Sequence, residues 1–167
     1  MIKRGAFLLV FAIGLSRASY SQEVAGIDPV KAYEMVRIPG VYLVDVRSIA
    51  EYVWVGHPDM AHNIPFAFWN EMKQGMDPNT RFLEDLKARF KPGDTLVFIC
   101  RSGGRSLKAA QAARSAGFPK VFNVTEGFEG ELDGQGHRTV GGWKNNGLPY
   151  TFKVDPELMY SKSRSGA

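Results

Sequence analysis

Eight residues near the middle of the chain, "ICRSGGRS" at 99–106, hold its single cysteine together with two arginines, two glycines and two serines. A thiol is a good nucleophile as the thiolate, and nearby cations, a helix N-terminus and inward-turned backbone N–H groups favour that form. Cys100 has Arg101 and Arg105 as cations and Ser102 and Ser106 as hydroxyl donors. Gly103 and Gly104 are expected to supply the positive φ angles that a tight curl around the sulfur requires. Arranged in this way, the segment favours a thiolate with an anion beside it.

Two chemistries use a cysteine in such a cradle. Cysteine-dependent phosphatases follow C-x5-R, whose ring is wide enough for a phosphate. Here the sixth residue after Cys100 is Ser106, and the arginine stands one place earlier, at Arg105. The ring is one residue too short for that pattern and better suited to a thiolate carrying one extra sulfur.

A lone cysteine excludes an internal disulfide, CxxC redox chemistry, CxxCH haem attachment and a cysteine-rich zinc site. Other residues with chemical potential are fewer. Glu129, Glu131, Asp133 and Gly134 occupy positions 1, 3, 5 and 6 of a calcium loop, but its closing position is Val140 rather than glutamate. His57 and His62 flank a strand beside Pro58 and Pro65, where structural hydrogen bonding is the expected role, and His137 lies in a turn beside Arg138.

The elements that must position the loop alternate between strand and helix. Asp28 and Pro29 open a helix with Ala32, Met35 and Val36 on one face. "VYLVDV" at 41–46 is a buried strand, and Ser48 with Glu51 forms a capping box that starts a short helix. "AHNIPF" predicts a second short strand, and a helix with Phe82, Leu83, Leu86 and Phe90 at helical spacing follows, ended by Pro92-Gly93. "TLVFI" at 95–99 is the clearest buried strand, "SLKAAQAARSAG" a helix closed by Gly117, and "KVFNV" a further strand. Phe128 and Trp143 are expected in the core. This order predicts an α/β fold with a central parallel sheet and helices on both faces, its site in the crevice at the carboxyl ends of the strands. Cys100 stands at such an end.

Residues 1–21 have the layout of a signal peptide, with Lys3 and Arg4 before an apolar run from Gly5 to Leu15 and small residues after it. Cleavage would remove three of the 21 basic residues and none of the 17 acidic ones, lowering the net charge from +4 to +1. A nearly neutral domain lacks the electrostatic footprint of a nucleic-acid binder. A periplasmic or secreted location is expected, with no membrane attachment after cleavage. At 44% hydrophobic residues, the length of 167 suits one core.

With these pieces in place, the sequence resembles the rhodanese family of sulfurtransferases. The matching stretches are "LVDVRSIAEY" at 43–52, "GHPDMAHNIP" at 56–65, "VFICRSGGRS" at 97–106, "VFNVTEGFEG" at 121–130 and "GGWKNNGLP" at 141–149. The resemblance implies one rhodanese domain over 27–150, and the residues after it, 151–167, read as a C-terminal extension with a polar tail. It also implies that Cys100 forms a persulfide, that the backbone of Arg101 to Arg105 forms the cradle, and that Asp45 and Arg47 support the sheet edge beside it. Met60 stands where relatives usually carry glycine, and residues 131–140 read as an insertion lining the pocket mouth.

The expected reaction is double displacement, from thiosulfate or a similar anionic donor drawn in by Arg101 and Arg105, to cyanide or a thiol. It needs no metal or organic cofactor. The expected partners are a small anionic sulfur donor and a thiophilic acceptor, and a protein donor or acceptor fits as well. A persulfide-carrying module loaded by a partner protein is the alternative.

Overall fold

The computed structural model describes residues 23–161. The signal-peptide expectation and the last six residues of the polar tail lie outside them. Among the described residues, no helix is long and apolar enough to cross a membrane.

The core is a parallel five-stranded sheet. Its strands are β1 (Ala25–Ile27), β2 (Val41–Asp45), β3 (His62–Asn63), β6 (Thr95–Ile99) and β7 (Val121–Val124), in the order β1-β7-β6-β2-β3. Among the described residues, four helices cover it: α1 (Pro29–Val36), α2 (Ile49–Trp54), α3 (Phe82–Arg89) and α4 (Gly104–Ser115). Two hairpins stand outside the sheet, β4 (Ala67–Asn70) with β5 (Gly75–Pro78), and β8 (Glu131–Leu132) with β9 (Arg138–Val140).

Strand alternation splits the core into two layers. Leu96, Phe98 and Cys100 join Val44, Val46, Phe82, Leu86 and the Ala109, Ala110 and Ala113 stripe of α4 on one face. Val97 and Ile99 join Leu43, Ala32, Tyr52, Phe128 and Trp143 on the other. The helices thus divide as α3 and α4 against α1 and α2, and the apolar strands are buried on both faces as the sequence predicts.

The local signals act as expected at several ends. The Asp28 side chain accepts from the Lys31 N–H at 2.9 Å, with Pro29 at the first turn. Ser48 and Glu51 form the reciprocal capping box of α2. Gly117, at φ +102, follows the end of α4, while the Phe118 N–H returns to the Ala113 carbonyl at 3.1 Å.

Several expectations are corrected. The strand at "AHNIPF" pairs only over His62–Asn63. Helix α4 opens at Gly104 rather than at Ser106. Leu83 faces solvent, and Asp85 takes the buried place on α3 instead, where its carboxylate accepts from the Tyr160 hydroxyl at 2.9 Å. That hydroxyl comes from residues 151–161, which run along the open side of β3. There the Asn63 N–H donates to the Leu158 carbonyl at 2.8 Å, so this edge of the sheet is covered.

Candidate active site

Cys100 directly follows β6, the strand between β7 and β2 at the middle of the sheet, and is only 1% exposed. The loop that leaves it is very short. Gly103, at φ +90, caps α4 without a side-chain hydrogen bond, and Gly104 already has helical geometry. Only the first of the two glycines therefore carries the positive φ expected of both.

The loop is fastened from behind by the turn after β7. The Phe128 N–H donates to the Cys100 carbonyl at 2.7 Å, and the Glu129 N–H to the Arg101 carbonyl at 2.9 Å. Close approach requires glycine on both sides. A Cβ on Gly127 would sit 2.6 Å from the Cys100 carbonyl oxygen, and one on Gly103 would overlap the Thr125 carbonyl.

With those two carbonyls committed, the amide hydrogens of the same turn remain. The backbone N–H groups of residues 101–106 donate to no acceptor among the described residues. Six consecutive unspent donors in the loop that leaves Cys100, the last three in the first turn of α4, can serve as a cradle for negative charge. The Ser106 hydroxyl adds a side-chain donor, 3.2 Å from Cys100 Sγ and 3.0 Å from the Gly103 carbonyl oxygen. It stands where a phosphatase would need its arginine.

The two arginines differ. Arg101 is exposed, and its guanidinium has no protein partner among the described residues. Arg105 instead folds back onto Glu51 of α2, donating through Nη1 at 2.8 Å and Nη2 at 2.5 Å. Burial alone would raise the Glu51 carboxyl. The Arg105 guanidinium and the Ser48 donors outweigh it and bring the group down to about 2. Burial likewise opposes the charge on Arg105, yet Glu51 foremost, with the Cys100 sulfur after it, holds that arginine above its ordinary value. The pair spans the carboxyl edge of the sheet and ties helices from its two faces together over the cysteine.

Asp45 and Arg47 are fully buried at the end of β2. Arg47 Nη2 donates to Asp45 at 2.6 Å and to the Gly56 carbonyl at 2.8 Å. The guanidinium carbon lies 4.2 Å from the centre of the Phe128 ring. Since the Phe128 N–H holds the Cys100 carbonyl, this ion pair supports the cradle at one remove.

The remaining candidates resolve into structural parts. His57 stacks on Tyr52 with ring centres 3.6 Å apart, and its Nδ1 donates to the Tyr52 carbonyl at 2.8 Å. His62 packs between Tyr42 and Phe90 on the opposite face of the sheet. The two imidazoles do not converge. The calcium-like segment is the β8–β9 hairpin, in which the Asp133 carboxylate accepts from the N–H groups of Gln135 and His137, at 2.9 Å each, and from the Thr139 hydroxyl at 2.8 Å. Among the described residues, no three His, Cys, Asp or Glu side chains group to hold a metal. The hairpin begins two residues after Glu129, so it is rooted beside the Arg101 side of the loop.

Sequence reasoning missed two members of this site. Glu51 was legible as a cap, but nothing local shows that the same carboxylate receives Arg105 from 54 residues away. The backing turn at Thr125–Phe128 was recognisable only by resemblance, although its glycine spacing marks a close backbone approach.

Comparison with known proteins agrees with this geometry. Residues 28–131 match the rhodanese-like domain family. The crystal structure of Rv0390 from M. tuberculosis superposes with a TM-score of 0.70 at 37% identity, covering 78% of this chain and 99% of that one. Uncharacterized protein RC0915 of Rickettsia conorii is 33% identical, over 77% of this chain and 98% of its own length. Thiosulfate sulfurtransferase 16 of Arabidopsis thaliana is 31% identical, over 79% of this chain and 97% of its own. A buried cysteine followed by a run of unspent amides, on this sheet and with these relatives, places the chain in the rhodanese-like family.

Proposed function

We propose that the protein is a sulfurtransferase that carries sulfane sulfur on Cys100. The Cys100 thiolate attacks the outer sulfur of an anionic donor such as thiosulfate. A bond forms between Sγ and that sulfur, the donor's S–S bond breaks, and its electron pair leaves with sulfite. Cyanide or a thiol then takes the outer sulfur, and the thiolate is restored.

The observation that carries this reading is the run of six backbone N–H groups, 101–106, that have no acceptor among the described residues and directly follow a thiol that is 1% exposed. Such donors stabilise the terminal sulfur's negative charge without reorganising during the reaction. The narrow access suits a donor that presents a single sulfur atom. Among the described residues, Arg101 is the cation of the loop without a protein partner and so can meet it, and the names of the Arabidopsis relatives point to thiosulfate.

The test is mass spectrometry of the reduced protein incubated with thiosulfate. One sulfur atom should appear at Cys100 and leave as thiocyanate when cyanide is added, with ping-pong steady-state kinetics. Cys100→Ser should fold, take up no sulfur and transfer none. A wild-type protein that hydrolyses an aryl phosphate while never acquiring sulfur would overturn the proposal.

A further inference from the structure

The placement of Arg105 calls for an explanation that helix stability does not give. It lies in the first turn of α4, where the helix dipole disfavours a cation, and its head group turns across the sheet edge to Glu51. Glu51 Oε2 collects the Ser48 N–H at 3.0 Å, the Ser48 hydroxyl at 2.8 Å and Arg105 Nη1 at 2.8 Å, while Oε1 takes Arg105 Nη2. A carboxylate held by the cap of its own helix and by both guanidinium nitrogens is a fixed negative charge beside the cradle. Of the two arginines flanking Cys100, one is thus neutralised and the other, Arg101, is not.

From this arrangement we infer that Glu51 is a positioning residue that sets donor specificity. By holding Arg105, it limits the positive charge at the mouth to that of Arg101 and the backbone N–H groups, which matches a singly charged sulfane-sulfur donor better than a dianion. The inference rests on the sulfurtransferase reading and ranks its donors: thiosulfate loads Cys100, and monoanionic donors of the thiosulfonate or organic persulfide type are preferred to it. The chemistry is unchanged. With a thiosulfonate, Sγ takes the terminal sulfur and the electron pair departs on a sulfinate.

The experiment compares thiosulfate, a dianion, with methanethiosulfonate, a monoanion, as donors for the full chain. Wild type should show the higher kcat/KM with methanethiosulfonate. Glu51→Gln keeps an acceptor oxygen for Ser48 but releases the charge of Arg105. It should lower KM for thiosulfate about tenfold and shift methanethiosulfonate by no more than about threefold, because an added cation acts twice as strongly on a double charge. Discharge of a preloaded persulfide by cyanide should change little. The double variant Glu51→Gln/Arg105→Gln restores the charge balance without an unpaired ion, so its donor ratio should return to that of wild type.

An equal donor ratio in wild type and Glu51→Gln would overturn the inference. If the single variant does not fold, a several-fold loss of thiosulfate use in the double variant would do so too, by showing that Arg105 itself binds the dianion. A wild type loaded by neither donor would overturn the sulfurtransferase reading, and this inference with it.

Discussion

The Ser106 hydroxyl lies 3.2 Å from Cys100 Sγ and 3.0 Å from the Gly103 carbonyl oxygen, so its single proton can serve either acceptor. Both residues are buried, and the serine comes from the first turn of the helix that the loop leads into. A hydroxyl in that position steadies a charged sulfur. Ser106→Ala should therefore slow loading of Cys100 about tenfold, roughly the worth of one hydrogen bond to a charged group. Single-turnover loading with thiosulfate measures it, and an unchanged rate would assign the hydroxyl to Gly103 alone.

The two loop glycines should separate cleanly on substitution. Gly103→Ala places a Cβ at φ +90 against the Thr125 carbonyl and should cost more than about 2 kcal/mol of stability, with loss of loading. Gly104→Ala meets nothing within 4 Å at a helical φ. It should be neutral or stabilising by up to about 1 kcal/mol. Chemical denaturation of both variants checks the contrast, and equal losses would contradict the loop geometry.

Much of this was legible in the sequence because the signals are local. Asp28 with Pro29, Ser48 with Glu51, and the apolar run at 95–99 each specify an element from a few adjacent residues. Cys100 was found in the same way, as the thiol after the clearest strand. What escaped depends on contacts distant in sequence. Nothing around Glu51 announces Arg105, and β1 is three residues long, held in the sheet by pairing with β7 from almost a hundred residues later. The β4–β5 hairpin turns through Gln74, a non-glycine at φ +46, so it lacked the glycine signature of such turns. Leu83 misled because helical spacing alone does not say which side of a stripe meets the core. Tyr160 reaches Asp85 there and makes a polar residue the buried one.

The intact Glu51–Arg105 pair should make the wild type lose stability in acid. The folded Glu51 carboxyl titrates at about 2, below its ordinary 4.5, so the stability it contributes is fully present above pH 4.5. It is lost as pH falls from there towards 2. The shift corresponds to roughly 3 kcal/mol at most. Glu51→Gln should therefore have a flatter stability profile over that window than wild type. Arg105→Ala should destabilise the protein at pH 7 by leaving the carboxylate half-buried without its partner. Urea titrations at a series of pH values give both results, and parallel profiles for wild type and Glu51→Gln would refute the pairing.

A second acid-sensitive step should appear at higher pH, from His62. Burial, then the charge of Arg89, hold its imidazole down to about 4, and its Nδ1 is buried without a hydrogen-bond partner among the described residues. The folded protein keeps the ring neutral between Tyr42 and Phe90. The unfolded chain takes up its proton near pH 6.5, so stability is fully present above that value and falls as pH drops through the interval to about 4. The loss should reach at most about 3 kcal/mol, less what partial exposure screens. His62→Phe preserves a flat ring between the two aromatic neighbours and removes the titration. Its melting temperature should stay nearly level between pH 6.5 and 4.5 while that of wild type declines, and an equal decline in both would place the sensitivity elsewhere, with His57 the next group to replace.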